Sequence, residues 1–302
     1  MNKFIIVSLF LVSCGLSAFS QEKIDRKKVA EYLQSISVTI KAEGQYSKSE
    51  GSGVLITRKV DGRDVTFVWT CGHVVDNLRR VRSVVSEKGT SVKIVEFDDV
   101  QIVKELVESG RRVGEIKMDA KVIKYSDYDH GQDLALLMVR ARDYGKDSAK
   151  FYFNKEEPII PIGTRLFHVG SLLGQMGANS MTTGIISQVG RVEDKVEFDQ
   201  TTVTAFKGSS GGGVYLENGL YVGMIARGAG EGFNLMIPIR RMREWAEENN
   251  VLWALDSNAK MPTIKEIESL PIETGGLKTT DSTKSSRELS FLIKVTPTLN
   301  EK

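Results

Sequence analysis

The sequence predicts a mainly β protein built as a sandwich or barrel. Three observations carry that reading: apolar residues alternate with period two along many short segments, glycine-rich turns separate those segments at regular spacing, and amphipathic helical spacing frames the region that holds them. The 302 residues suffice for one large domain or two small ones. Hydrophobic residues at 41% and charged residues at 26% are ordinary for a soluble globular protein, so a core of normal size is expected. The formal net charge of +2 gives no reason to invoke nucleic acid or an acidic membrane surface.

The chain opens with Lys3, an apolar run from Phe4 to Val12, and Ala18-Phe19-Ser20, which reads as a signal peptide over residues 1–20 cleaved before Gln21. The apolar stretch is short for a membrane span, so no transmembrane span is expected in the mature form. Leu11-Val12-Ser13-Cys14 also resembles a bacterial lipobox, which would anchor the mature chain through a lipid on Cys14. The expected location is therefore periplasmic or secreted, with envelope anchoring as the alternative. Cys14 and Cys71 are the two cysteines, and cleavage before Gln21 leaves one, so no intramolecular disulfide can form.

Ile24, Val29, Ala30 and Leu33 have helical spacing over 22–34. Ile36, Val38 and Ile40 alternating with Ser37, Thr39 and Lys41 then predict a half-buried strand. Gly51-Ser52-Gly53 leads into the strand Val54 to Thr57, Asp61-Gly62 signals a hairpin turn, and Val65 to Thr70 is the returning strand. Residues 78–120 are more polar and read as an insertion, with a β-like piece at Val92 to Val95 and a short helix at Val103 to Val107. Short strands are expected next at Val122 to Lys124, Leu134 to Val139, Pro158 to Ile162, Arg165 to Gly170 and Met181 to Ser187. They continue at Val196 to Phe198, Gly213 to Leu216, Leu220 to Ala226 and Phe233 to Ile237. Ile239 to Glu248 reads as a closing helix. Residues 251–302 form a tail whose composition from Asp256 to Arg287 suggests linker or disorder, with an apolar run, Leu289 to Val295, able to pair with a sheet edge.

Peptide hydrolysis by serine needs an activated hydroxyl, a base, a carboxylate that orients the base, and backbone N–H groups aimed at the developing oxyanion. Lys207-Gly208-Ser209-Ser210-Gly211-Gly212-Gly213 is a G-x-S-G-G pattern between apolar strands, in which glycines permit a tight turn that exposes the Ser210 Oγ. Ser209 is one residue out of frame and reads as structural. His73, after a strand ending in Thr70-Cys71-Gly72, is the candidate base; His130 reads as loop surface and His168 as a strand residue. Asp133, directly before the apolar run Leu134 to Leu137, is the candidate carboxylate, with Asp129 as competitor. Cys71 reads as a small buried apolar side chain.

Taken together, the order His73, Asp133, Ser210 with these flanks resembles the trypsin-like peptidase superfamily, and within it the bacterial Deg/HtrA-type branch. The matching motifs are Gly51-Ser52-Gly53-Val54, Thr70-Cys71-Gly72-His73-Val74-Val75, Asp133 to Leu137 and Gly208 to Gly212. The likeness covers roughly residues 35–250, within a peptidase domain expected over 21–250. It implies a chymotrypsin-like fold of two six-stranded antiparallel β-barrels with a short C-terminal helix, and an active site in the cleft between them. His73 and Asp133 would come from the first barrel and Ser210 from the second. The N–H groups of Gly208 and Ser210 would form the oxyanion hole, and neither a metal nor an organic cofactor would be needed. The resemblance implies a serine endopeptidase acting on exported or unfolded polypeptides. The primary pocket would have its floor at Thr204, Ala205 and Phe206 and its wall at Met224, Ile225, Ala226 and Arg227, with no acid to select Lys or Arg. No PDZ-like sequence follows the closing helix. Oligomeric state is not legible. The alternative function is a peptide-binding module on the same fold, either catalytically inactive or activated by a partner.

Overall fold

Among the described residues, fourteen strands sort into two closed six-stranded antiparallel barrels and one small hairpin. The computed structural model describes residues 25–273 except 86–90, 109, 130, 142, 143, 229 and 231. The signal-peptide and lipobox readings, the apolar run Leu289 to Val295 and His130 lie outside the described residues. None of the described helices is long and apolar enough to cross a membrane.

The first barrel contains β1 (Ser37–Glu43), β2 (Lys48–Val60), β3 (Arg63–Thr70), β6 (Val100–Glu108), β7 (Arg111–Ser126) and β8 (Leu134–Val139), closed in the order β1-β2-β3-β8-β7-β6. The second contains β9 (Arg165–Leu172), β10 (Gly177–Glu193), β11 (Val196–Thr201), β12 (Gly213–Leu216), β13 (Tyr221–Gly228) and β14 (Asn234–Pro238), in the order β10-β11-β14-β13-β12-β9. Between β3 and β6 of the first barrel the chain adds a two-stranded sheet, β4 (Arg79–Val85) with β5 (Ser91–Phe97). The described residues also form four α-helices: α1 (Arg26–Ser35), α2 (Gly72–Val75), α3 (Ile239–Glu248) and α4 (Ile264–Glu268).

The β2–β3 hairpin turns on Asp61 and Gly62, both at positive φ (47° and 80°), the two-residue geometry whose twist matches the flanking strands. The strand β1 departs from the half-buried expectation. Ser37 and Thr39 are buried like their apolar neighbours, because their face looks onto the second barrel. There the Thr39 and Ser171 hydroxyls meet at 2.6 Å. The insertion is also narrower than expected. Val103 to Val107 is not a helix but part of β6, and only the β4–β5 hairpin is added to the barrel. Pro158 to Ile162 forms no strand; of its isoleucines only Ile160 is buried.

The largest correction concerns the segment after α3. Residues 251–273 wrap back onto the first barrel rather than trailing as a linker. The indole N–H of Trp69 donates to the Ala254 carbonyl (3.3 Å), and Arg58 donates to the Trp253 carbonyl (2.9 Å). Thr263 and Glu266 form a reciprocal capping box that starts α4. Lys124, buried on β7, donates to the Pro271 carbonyl at 2.7 Å, and this burial lowers its pKa to about 8. Arg79 and Glu273 then pair at the root of the β4–β5 hairpin.

Ile267 of α4 is 1% exposed within the main core. Its replacement by alanine is expected to lower the unfolding free energy by about 2–4 kcal/mol, measured by urea titration. A change within about 0.5 kcal/mol, typical of an exposed linker position, would contradict this packing.

Candidate active site

Three segments meet where the barrels face each other: α2, the β7–β8 connection and the loop before β12. Gly72 permits the first contact. A Cβ there would lie 2.2 Å from the Ser126 carbonyl oxygen at the end of β7. The close approach sets His73 against Asp133. The His73 backbone N–H donates to Asp133 Oδ1 at 2.9 Å, and its Nδ1 lies 3.0 Å from both carboxylate oxygens. A proton on Nδ1 satisfies the carboxylate and leaves Nε2 as the basic nitrogen. Asp133 is 1% exposed, while the His73 side chain keeps 30% of its surface open, enough to meet a ligand. Asp133 also holds a left-handed backbone (φ 53°), uncommon for a non-glycine residue. The connection is wound tightly to impose it: Gln132 N–H donates to Ser126 Oγ (2.7 Å) and Asp133 N–H to the Asp127 carbonyl (3.1 Å).

The loop before β12 is a turn closed from both sides. Ser209 N–H donates to the Phe206 carbonyl (2.9 Å), and Phe206 N–H donates to Ser209 Oγ (3.1 Å). Gly208, third in this turn, has φ 95°, the requirement of a type II turn. The N–H groups of Gly208 and Ser210 meet no acceptor among the described residues. The Ser210 hydroxyl donates to the Ala226 carbonyl at 3.4 Å. Gly51 brings the two halves together, since a Cβ there would lie 2.6 Å from Val74, next to His73, and 3.1 Å from the Ser210 carbonyl oxygen.

Ser52 is the residue whose role the sequence does not disclose. It is fully buried in the seam between the barrels. Its Oγ donates to the Gly208 carbonyl and accepts from Ser171 N–H, both at 2.7 Å. Its N–H donates to the Ser210 carbonyl (2.7 Å), and its own carbonyl accepts from Thr70 Oγ (2.8 Å). The G-S-G pattern was visible, but the partners are far away in sequence.

Of the expected pocket residues, Thr204 and Phe206 are exposed and Ala205 half-buried, so all three can border a cleft. Met224 and Ile225 do not fit the wall. Met224 is fully buried with its sulfur 3.7 Å from Cys71 Sγ, and Ile225 lies in the interior core of the second barrel. The strand's backbone at Ala226 and the residues after it remain for that role. His168 is fully buried behind the serine loop, where a Cβ on Gly212 would come within 2.6 Å of its ring. Its Nδ1 donates to the Gly213 carbonyl (3.0 Å) and its Nε2 has no partner among the described residues, so it is neutral, and desolvation lowers its pKa to about 4.

Cys71, His73 and Asp133 place potential ligand atoms within 4.8 Å of one another. Burial, reinforced by the Asp133 charge, pushes the Cys71 thiol well up, so it stays protonated. A protonated thiol and an imidazole already committed to a carboxylate make a poor metal site.

The sequence matches the family model of the trypsin-like peptidase domain over residues 51–224. Comparison with curated proteins finds no match. Among solved structures, the serine endoprotease from Yersinia pestis is similar with a TM-score of 0.53 and 17% identity, over 75% of this chain and 66% of that one. The HtrA-type protease AlgW, solved with a tripeptide, is similar with a TM-score of 0.53 and 17% identity, over 76% of this chain and 64% of that one. The chain thus spans a little under two thirds of the length of these structures, and at this identity the likeness is one of fold.

Ser52→Ala would leave the Gly208 carbonyl and Ser171 N–H unpaired in a dry seam. A loss of about 2–3 kcal/mol in unfolding free energy is expected by urea titration, and a loss under about 0.5 kcal/mol would show the hydroxyl to be dispensable. His168 predicts a pH dependence. Its folded pKa of about 4 lies below the ordinary histidine value of 6.5, so the unfolded chain binds the proton first as pH falls. Stability should fall between about pH 6.5 and 4, by up to about 3 kcal/mol, and level off below. His168→Asn, which keeps a donor for Gly213, should flatten that slope; an unchanged slope would assign it to other groups.

Proposed function

The chain belongs to the trypsin-like peptidase domain family, and from that premise we propose that it is a serine endopeptidase with Ser210 as nucleophile, His73 as base and Asp133 as orienting carboxylate. One observation carries the reading. The Asp133 carboxylate takes both the backbone N–H and Nδ1 of His73, leaving Nε2 as the free ring nitrogen, and the neighbouring serine turn holds two N–H groups with no acceptor among the described residues.

In the proposed reaction the Ser210 hydroxyl leaves the Ala226 carbonyl by rotation about χ1, gives its proton to His73 Nε2, and attacks the scissile carbonyl. The oxyanion is received by Gly208 and Ser210 N–H, where preorganised donors act most strongly. His73 returns the proton to the leaving amine, and water, activated the same way, releases the acyl group. Asp133 fixes the tautomer throughout and faces the imidazolium formed in each step. Because the serine proton is now donated to Ala226, a second reading deserves a place: a resting enzyme whose nucleophile aligns only on substrate or partner binding, a looseness common before a ligand tightens the site. Polypeptides are the substrates the family implies. Thr204, Ala205 and Phe206 carry no charge, which favours small or medium apolar residues over Lys or Arg at the cleaved position. The apolar leader over residues 1–20 supports action outside the cytoplasm, on exported or unfolded chains, whether free or anchored through Cys14.

Purified protein treated with a fluorophosphonate is expected to be labelled, and Ser210→Ala to fall to background. Labelling that persists in the variant would assign the reactive group elsewhere. Absence of labelling in the wild type, also after removal of residues 274–302, would turn the reading towards a binding module.

A further inference from the structure

Two largely buried arginines have no part in the chemistry above. Arg227 directly follows Ala226 on β13. Its guanidinium carbon lies 4.3 Å from the ring centre of Tyr128 and 4.8 Å from that of Phe198. Arg241, in the first turn of α3 and 6% exposed, lies 4.5 Å from the same Phe198 ring. Tyr128, Arg227, Phe198 and Arg241 thus alternate as a column of rings and guanidinium groups.

Both ends of the column return to the candidate site. At one end Tyr128 meets His73 edge-on, with ring centres 5.7 Å apart and planes at 79°. At the other, Arg241 donates through Nη2 to the carbonyl of Gln132, the residue before Asp133, and through Nη1 to the Glu197 carbonyl at 2.6 Å. Tyr128 and Gln132 belong to the β7–β8 connection of the first barrel. Arg227 and Phe198 are strand residues of the second barrel, and Arg241 is on the helix that follows it. Burying two cations in a seam is costly, and apolar side chains would fill the same space with less penalty. The compensation is specific: Glu193 Oε2 lies 2.7 Å from Arg227 Nη1, and the ring faces take up the guanidinium planes. Burial lowers the Arg241 pKa to about 10 against the opposing pull of the Asp133 charge, so the group remains a cation at neutral pH. A flat, fixed fork that both stacks and donates is suited to setting orientation, which an apolar plug is not.

We propose that this column is a positioning device, setting the orientation of the β7–β8 connection, and with it the Asp133–His73 pair, relative to the strand and turn that carry Ala226 and Ser210. The proposal rests on the serine-peptidase reading and adds Tyr128, Arg227 and Arg241 to it as positioning residues.

Tyr128 is only half-buried, so its variants should fold. The test is the concentration dependence of fluorophosphonate labelling, which separates the saturating rate from the half-saturating concentration, with thermal melting alongside. Tyr128→Ala is expected to lower the saturating rate about tenfold or more while the half-saturating concentration stays within about twofold. Tyr128→Phe, which restores the ring, is expected to stay within about twofold of wild type in both. A wild-type saturating rate in Tyr128→Ala, or a loss confined to the half-saturating concentration, would overturn the proposal; the latter would make Tyr128 a cleft-lining residue. Failure of the serine reading shows separately, as an unlabelled wild type or a labelled Ser210→Ala, and the proposal falls with it.

Discussion

Everything at the candidate site depends on satisfying backbone polar groups in the dry seam between the barrels. The serine loop is not a strand, so its carbonyls lack a ladder to pair with, and a buried unpaired carbonyl is destabilising by more than a hydrogen bond returns. Ser52 resolves this from the other barrel, taking the carbonyls of Gly208 and Ser210 and the N–H of Ser171. With those carbonyls held by Ser52, the N–H groups of Gly208 and Ser210 are left without an acceptor among the described residues. The oxyanion-binding arrangement proposed here is thus the far side of a packing requirement. It explains why the residue must be small, polar and flanked by glycines: a Cβ on Gly51 would strike Val74, and one on Gly53 would strike Val68 and Ile40.

The same logic extends outward in rings. The seam is crossed at Ser52 beneath the serine loop, at Cys71 against the Ile225 carbonyl (3.3 Å), and at the arginine–aromatic column around Phe198. A strap beyond α3 then returns the end of the described chain to the first barrel, so that barrel is packed by sequence from both sides of the second. Two barrels joined only by a loop would be free to shift, and a shift of an ångström between the proposed base and nucleophile would be expensive in rate.

Sequence patterning made much of this legible, and its failures have physical causes. Period two located most strands because a barrel wall has one inner and one outer face. It misjudged β1, whose outer face is the seam, where Thr39 meets Ser171 instead of water. Val103, Leu106 and Val107 mimic helical spacing because β6 carries apolar residues on both faces: neighbouring Ile102 and Val103 are both buried, while Leu106 is 37% exposed. The strap was read as linker from its Lys, Ser and Thr content, although Thr263-Ile264-Lys265-Glu266 is a capping box written in the sequence. A single buried Ile267 gives no periodicity, so the anchoring contact was invisible. At the site, His73, Asp133 and Ser210 were singled out by local flanks. What Ser52, Arg227 and Arg241 hold is not legible in the sequence, because their partners are remote: Ser52 reaches residues 119 and 156 positions away, and Arg241 one 109 positions away. Met224 and Ile225 were assigned to the pocket wall because a strand's neighbours in sequence alternate between faces, and nothing local reports which face is the cleft.

Electrostatics gives the last reason for building the site across two barrels. Asp133 is an almost wholly buried carboxylate, and an isolated buried charge is strongly unfavourable. Two hydrogen-bond donors from His73 answer part of that cost. The Arg241 cation, whose charge interacts with that of Asp133 across the seam, adds to this without a hydrogen bond to the carboxylate. If Arg241 bonded Asp133 directly, the carboxylate would hold the guanidinium and its hold on the His73 ring would weaken. Bonded instead to the Gln132 carbonyl, it steadies the backbone and supplies positive potential while leaving both carboxylate oxygens to His73. That division requires the cation to come from outside the first barrel, from a helix that follows the second. The orientation of the acid in one half is thereby tied to the folding of the other.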